Sequence, residues 1–118
     1  MLNIEFLRTV FDSTIIAFRL DGNTLKYFTF NGEYQSEHQI NIYEFINQCM
    51  KWALQRVSVV NMAFLQIEAI SNNKPFYQGI YYINSKEHCF VGETPLESII
   101  NMCKDIIEKQ IPKKEQPC

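Results

Sequence analysis

The sequence predicts an α+β fold: a mainly antiparallel sheet of about five strands with flanking helices, in the order α-β-β-α-β-β-β-α. Three observations carry it. Two long segments repeat apolar residues at helical spacing, while shorter ones alternate at the period of a strand. The loops between successive strands are too short for a parallel crossover, so sequence neighbours pair antiparallel. A long helix follows each block of strands, as it does where helices cover a sheet. A chain of 118 residues suits one domain, which buries roughly 65% of its unfolded surface. We expect a single domain over 1–111 and a flexible tail over 112–118.

"LNIEFLRTVF" spaces Leu2, Phe6, Leu7 and Val10 as a short helix. "TIIAFRL" and "LKYFTF" flank "DGNT", a hairpin signal, because Asp, Gly and Asn tolerate the positive φ of tight turns. Alternation puts Ile16, Phe18 and Leu20 on one face of the first strand, and Phe28 and Phe30 on one face of the second. "NGEYQSEHQ" is polar and reads as a loop. Asn41 can cap the next helix, with Glu44 three residues on, and Ile42, Phe45, Ile46, Cys49, Met50 and Ala53 form its apolar stripe.

"NMAFLQIEAI" reads as a strand with Ala63, Leu65, Ile67 and Ala69 on one side and Phe64, Gln66 and Glu68 on the other. "SNNKP" breaks it. "FYQGIYYI" and "HCFV" are the next two strands. The last helix has Leu96, Ile99, Ile100, Cys103 and Ile107 on one stripe and ends at Pro112. Its start is fully punctuated. Gly92 turns the chain, Thr94 is the N-cap, Pro95 occupies the first helical position, and Glu97 reaches back to Thr94 in a capping box.

Charge and cysteine usage narrow the function. The net charge is −2, and no dense Lys/Arg cluster is present, which argues against nucleic acid. No apolar run approaches the ~20 residues that cross a bilayer, so no membrane partner is expected. Cys49, Cys89, Cys103 and Cys118 make no CxxC pair, and no secretory signal precedes them, so they read as reduced thiols of a cytoplasmic protein.

The chemistry-bearing residues point to binding more than to catalysis. His88 precedes Cys89, and imidazole can activate a thiol, but neighbours on a strand face opposite sides. Zn sites usually take two ligands close in sequence, and Cys49 and Cys103 fall on apolar helix stripes. The carboxylate pairs Glu33/Glu37 and Glu93/Glu97 sit in polar segments, where desolvation cannot tune an acid–base pair. The four glycines build no phosphate-cradling loop. We expect no catalytic residue, metal or cofactor. A small enzyme using Cys89 or a carboxylate is the alternative.

Aromatic residues make up 14% of the chain, with Tyr27, Phe28 and Phe30 on one strand and Phe76, Tyr77, Tyr81 and Tyr82 on another. Residues alternating along a strand cannot all face one helix layer, so some either meet a partner or another subunit on the opposite face or belong to a two-sided core with helices on both faces. "NGEYQSEHQINIYE" holds Glu33, Glu37 and Glu44 without Lys or Arg, which suits either a solvated loop and first helical turn or a basic protein partner steered by charge. The expected partner-binding residues are Glu33, Tyr34, Glu37, Tyr43, Glu44, Tyr81 and Tyr82. A homodimer through the sheet face is also compatible with these residues.

"YQGIYYINSKEHCFVGETPLESIINMCKDIIEK" resembles the strand–turn–strand–helix unit of HicB-type antitoxins, with Gly79, Cys89, Gly92, Glu93, Thr94 and Glu97 aligned to that pattern. Its Thr94-Pro95 and apolar helix also resemble the ends of small phage-encoded α/β sandwich proteins. "NSKEH" replaces the Pro-Asp-x-Pro-Gly turn of HicB proteins, and the first sixty residues have no counterpart there. The resemblance implies binding to a toxin, nuclease or defence effector and carries nothing for DNA repression. A secretion or assembly chaperone shares the overall topology.

Overall fold

A computed structural model describes residues 2–57, 59–66, 75–83 and 85–114. Three helices and six strands are present among them: α1 (Ile4–Val10), β1 (Ile15–Asp21), β2 (Thr24–Phe30), β3 (Gln35–Asn41), α2 (Ile42–Leu54), β4 (Val59–Gln66), β5 (Pro75–Ile83), β6 (Lys86–Gly92) and α3 (Pro95–Glu108). The class is α+β, as expected. The strands form two antiparallel sheets of three, ordered β1-β2-β3 and β4-β5-β6, and not one sheet of about five. The extra strand is β3, which reads as loop in the sequence. All but one of its residues are exposed, so no apolar alternation marks it. Its pairing with β2 alone makes it a strand.

By its contacts the chain divides into two compact units, Leu2–Cys49 and Met50–Cys118, with the boundary inside α2. No linker composition marks that place. In the first unit, Asn3 caps α1 by accepting from Phe6 N–H at 2.8 Å, and Phe6, Leu7 and Val10 are buried. Phe11 then meets Tyr27 and Phe45 edge-on, at ring-centroid distances of 5.1 and 5.4 Å. β1 carries a bulge between Ile15 and Ala17. The bulge brings Ile15, opposite Thr29, onto the face of Phe18 and Leu20, and Ile15 is the fully buried residue. The alternation that expected Ile16 there fails at this extra residue, and Ile16 is exposed. Of the α2 stripe, Ile42, Phe45, Ile46, Cys49 and Ala53 are buried and Met50 is half-buried.

In the second unit, α3 lies against β5 and β6. Its start has the expected Thr94 cap, whose hydroxyl accepts from Glu97 N–H at 3.1 Å. The reach-back differs by one residue, since Glu97 Oε2 accepts from Glu93 N–H at 3.3 Å. Gly92 is required for a different reason from a turn. A Cβ there would lie 2.6 Å from Ser98 N and 3.0 Å from Glu97 Cβ, so only glycine admits this approach of helix to strand. The buried stripe is Leu96, Ile99, Ile100, Met102, Cys103 and Ile106, with Ile107 half-buried.

The helix stops before Pro112. Gln110 takes a left-handed φ of 54°, its N–H donates to Ile107 O at 2.9 Å, and Ile111 N–H donates to Ile106 O at 3.3 Å. That is a Schellman close, with glutamine where glycine is usual. Lys114 N–H donates to Gln55 O at 2.7 Å, which ties this part of the expected tail to the chain. Residues 115–118, including Cys118, lie outside the described residues. So do the continuation of the β4 segment through Ile67 and Ala69, the facing of its side chains, and the break at 71–74. No helix among the described residues is long and apolar enough to cross a membrane.

Candidate functional site

Five of the seven expected binding residues fall together in the first unit, around β3. Asn31 Oδ1 accepts from Glu33 N–H at 2.9 Å and Tyr34 N–H at 2.8 Å, which fixes the turn and turns Tyr34 outward, 68% exposed. Gly32 supplies the positive φ of that turn, 98°. At the other end of β3, Asn41 Oδ1 accepts from Tyr43 N–H at 2.9 Å and caps α2 as expected. Tyr43 is 60% exposed, and Glu44 in the first helical turn is exposed beside it. Glu37 is exposed midway along the strand. At about 3.4 Å per residue, the seven residues of β3 that lie between the two tyrosines span roughly 20 Å. From Tyr27 to Met50 the chain has these three glutamates and no Lys or Arg.

The pairing of β3 with β2 uses only alternate residues of its backbone. In an antiparallel pair, residues alternate between exchanging hydrogen bonds with the partner strand and pointing away from it. Asn31 N–H donates to Tyr34 O at 3.3 Å, and Ile42 N–H donates to Asn23 O at 2.8 Å. Both bonds fit the register Tyr27↔His38. Counting by twos, Ser36, His38 and Ile40 bond to β2. Gln35, Glu37 and Gln39 then turn their N–H and C=O groups to the outer edge. Phe30, opposite Gln35, donates the other way, to Thr14 O at 3.0 Å. His38 stacks on Tyr27, with centroids 5.1 Å apart, and its Nε2 lies 3.0 Å from Thr29 Oγ1.

Tyr81 and Tyr82 belong to the second unit and have different roles. Tyr81 is fully buried, so it is unavailable as a surface contact, contrary to the expectation. Its residue faces α3 because its directly paired neighbour His88 and the diagonal Phe90 share that side. The His88 ring stacks on Tyr81 at 4.8 Å and Phe90 at 5.7 Å. Tyr81 OH donates to Asp105 Oδ2, which also accepts from Lys109 Nζ at 2.6 Å. Lys109 Nζ further reaches His88 Nδ1 at 3.2 Å, where the ammonium can only donate, so Nδ1 accepts. Tyr82, on the opposite face, is half-buried and donates to Glu87 Oε1 at 3.2 Å.

No family model, characterised protein or solved structure matches the chain.

The electrostatics of the Tyr81 cluster favour anchoring. Burial and the bond to Asp105 push the Tyr81 hydroxyl up to about 12, with Lys109 pulling the other way. The bond to Asp105 raises Lys109 against the opposing effect of burial. Burial raises the Asp105 carboxyl, but the bonds from Lys109 and Tyr81 outweigh it and hold the carboxyl below its ordinary value. Near neutral pH, Tyr81 and Lys109 both keep their protons, so neither is an activated base. Cys89 is exposed on the face of β6 opposite to His88, which separates the thiol from the imidazole. No group of three His, Cys, Asp or Glu side chains that could hold a metal occurs among the described residues.

Sequence reasoning missed two features here. "NG" at Asn31-Gly32, directly after the apolar Phe30, signals the turn, although nothing in the polar residues that follow marks them as a strand. Asp105 and Lys109 stand at the i, i+4 spacing of a helical ion pair. Nothing local to the sequence shows that Tyr81 and His88 join them.

Proposed function

We propose that this protein acts without catalysis, by binding a protein partner and covering that partner's functional site, in the manner of an immunity protein, antitoxin or phage-type inhibitor. One observation carries the reading: Glu33, Tyr34, Glu37, Tyr43 and Glu44 are all exposed along one strand and its two ends, with no Lys or Arg in the segment. Tyrosine brings a large apolar body with a polar tip, suited to interfaces, and the glutamates steer a basic surface toward it. The partner is a basic toxin, nuclease or defence effector, met inside the cell, where Cys49, Cys89 and Cys103 stay thiols. The HicB-like end of the chain supports the same class.

A second reading, an assembly chaperone that dimerises through a sheet, draws on the open face of β6, where Val91 is 54% exposed beside Cys89.

Affinity capture from native lysate tests the first reading. It expects a stoichiometric complex with a basic protein, weaker at high salt because exposed charges are screened beyond about 8 Å at physiological ionic strength. The combined Glu33→Lys, Glu37→Lys and Glu44→Lys variant should release the partner. A complex indifferent to both salt and charge reversal, or no complex at all, would overturn the proposal.

A further inference from the structure

We infer that the outer edge of β3 is a docking site for an extended, basic segment of the protein partner, which joins the first sheet as a fourth strand. This rests on the protein-binding reading above and adds how the partner is held.

A sheet edge is a row of unpaired donors and acceptors, and proteins ordinarily blunt it with Lys, Pro, a bulge or a very short strand. Of the devices that blunt an edge, β3 has a single charge, Glu37, and no Lys, Pro or bulge. It runs seven residues and keeps an unbroken register with β2 from Gln35 to Asn41. No strand lies beyond it among the described residues. Gln35, Glu37 and Gln39 present outward N–H and C=O groups, the arrangement that accepts an added strand. α2 follows β3 directly and the Asn31 turn precedes it, so both ends of the edge are held in place.

Charge identifies the occupant. A residue paired with Glu37 on an added strand would share its face, where a Lys or Arg is the favourable cross-strand partner. Glu33 and Glu44 extend that preference beyond both ends of β3. A second copy of this chain would bring the same three glutamates toward their counterparts, which disfavours pairing of two β3 edges. On the alternate positions, β-branched residues hold the added segment extended. The occupant is therefore a strand alternating basic with β-branched residues.

The probe is a capped seven-residue peptide alternating Lys and Val, titrated into the full chain and followed by backbone amide NMR and hydrogen exchange. An analogue alternating Glu and Val serves as the control. The inference expects slowed exchange at Gln35, Glu37 and Gln39 with the basic peptide only. Gln39→Pro removes an outward N–H without touching a bond to β2, and it should weaken binding at least about tenfold, whereas Gln39→Ala keeps it. Should the proline variant lose its native spectrum, Glu37→Lys leaves the backbone intact and should weaken the basic peptide by a similar factor.

Lack of any change at the β3 amides would overturn the inference, as would binding unaffected by both Gln39→Pro and Glu37→Lys. A captured natural partner that survives Gln39→Pro but is lost on charge reversal at Glu33 and Glu44 would overturn strand addition alone, leaving protein binding in place. A dimer of this chain that Gln39→Pro dissolves would overturn the choice of occupant.

Discussion

Replacing Gly92 with alanine tests how α3 is seated on the second sheet. The added Cβ would stand 2.6 Å from Ser98 N, and backbone atoms cannot swing aside as a side chain can. Reaching the 3.4 Å of ordinary contact requires the helix start and the strand to separate by roughly 0.8 Å. Two bonds span that gap: Ser98 Oγ to Phe90 O at 3.4 Å, and Asn101 Nδ2 to Val91 O at 3.2 Å. Both are near their limit and would break. Overpacking costs about 1–3 kcal/mol, and each lost bond about 0.5–1.5 kcal/mol. Alanine returns about 0.4–1 kcal/mol by restricting the unfolded chain. The net expectation is a destabilisation of about 1–5 kcal/mol, a large part of the stability of a small domain.

Urea unfolding followed by the fluorescence of Trp52, the single tryptophan, and by far-UV circular dichroism measures it. Gly79→Ala provides the internal comparison. Its Cβ would meet Ser98 Oγ at 3.2 Å, a hydroxyl that can rotate, so its cost should be smaller. A Gly92→Ala change under about 0.5 kcal/mol, or a larger effect at Gly79, would refute the close-approach argument.

The Tyr81 cluster makes stability fall as pH rises. Tyr81 ionises at its ordinary 10.0 when unfolded and at about 12 when folded, so the native chain binds more protons across that interval. Lys109, raised above 10.5, adds in the same direction, while the contribution of Asp105 is lost only as pH drops below 3.8. Asp105→Asn should therefore cost about 1–3 kcal/mol at neutral pH and flatten the alkaline loss, read by thermal melts between pH 7 and 12. An unchanged alkaline slope would count against the network. Thr94→Ala removes the hydroxyl that accepts from Glu97 N–H and should cost about 0.5–2 kcal/mol in urea unfolding; no change would mean that the cap contributes nothing.

Helices were legible because burial leaves a periodic record. Phe45, Ile46 and Cys49 face inward as their spacing requires, and Thr94, Pro95 and Asn41 mark their boundaries by local chemistry. β3 was not, since a strand exposed on both faces carries no hydrophobic period, and Gln35, Glu37 and Gln39 read the same in a loop. The bulge at Ile16 shows a second limit, because one extra residue puts Ile15 in place of Ile16 on the face of Phe18 and Leu20. At the candidate site, the acidic and tyrosine side chains were legible as composition, but the outward backbone groups between them depend on register. Tyr81 misled for a related reason: an amphipathic ring predicts a surface role or a buried one equally well. Asp105 and His88, distant in sequence, decide it here.

In both sheets each strand pairs only with its neighbour in the chain. Both are therefore meanders, and no strand has to wait for a remote segment to arrive. Hairpins of this kind close on the scale of about 1–10 μs. Low contact order of this type favours fast folding and leaves little time with strand edges uncovered. The turns at Gly22 and Asn31 close the two hairpins of the first sheet. In the finished molecule the edge of β3 stays open, so the exposure avoided during folding is retained at one place, with acidic side chains around it.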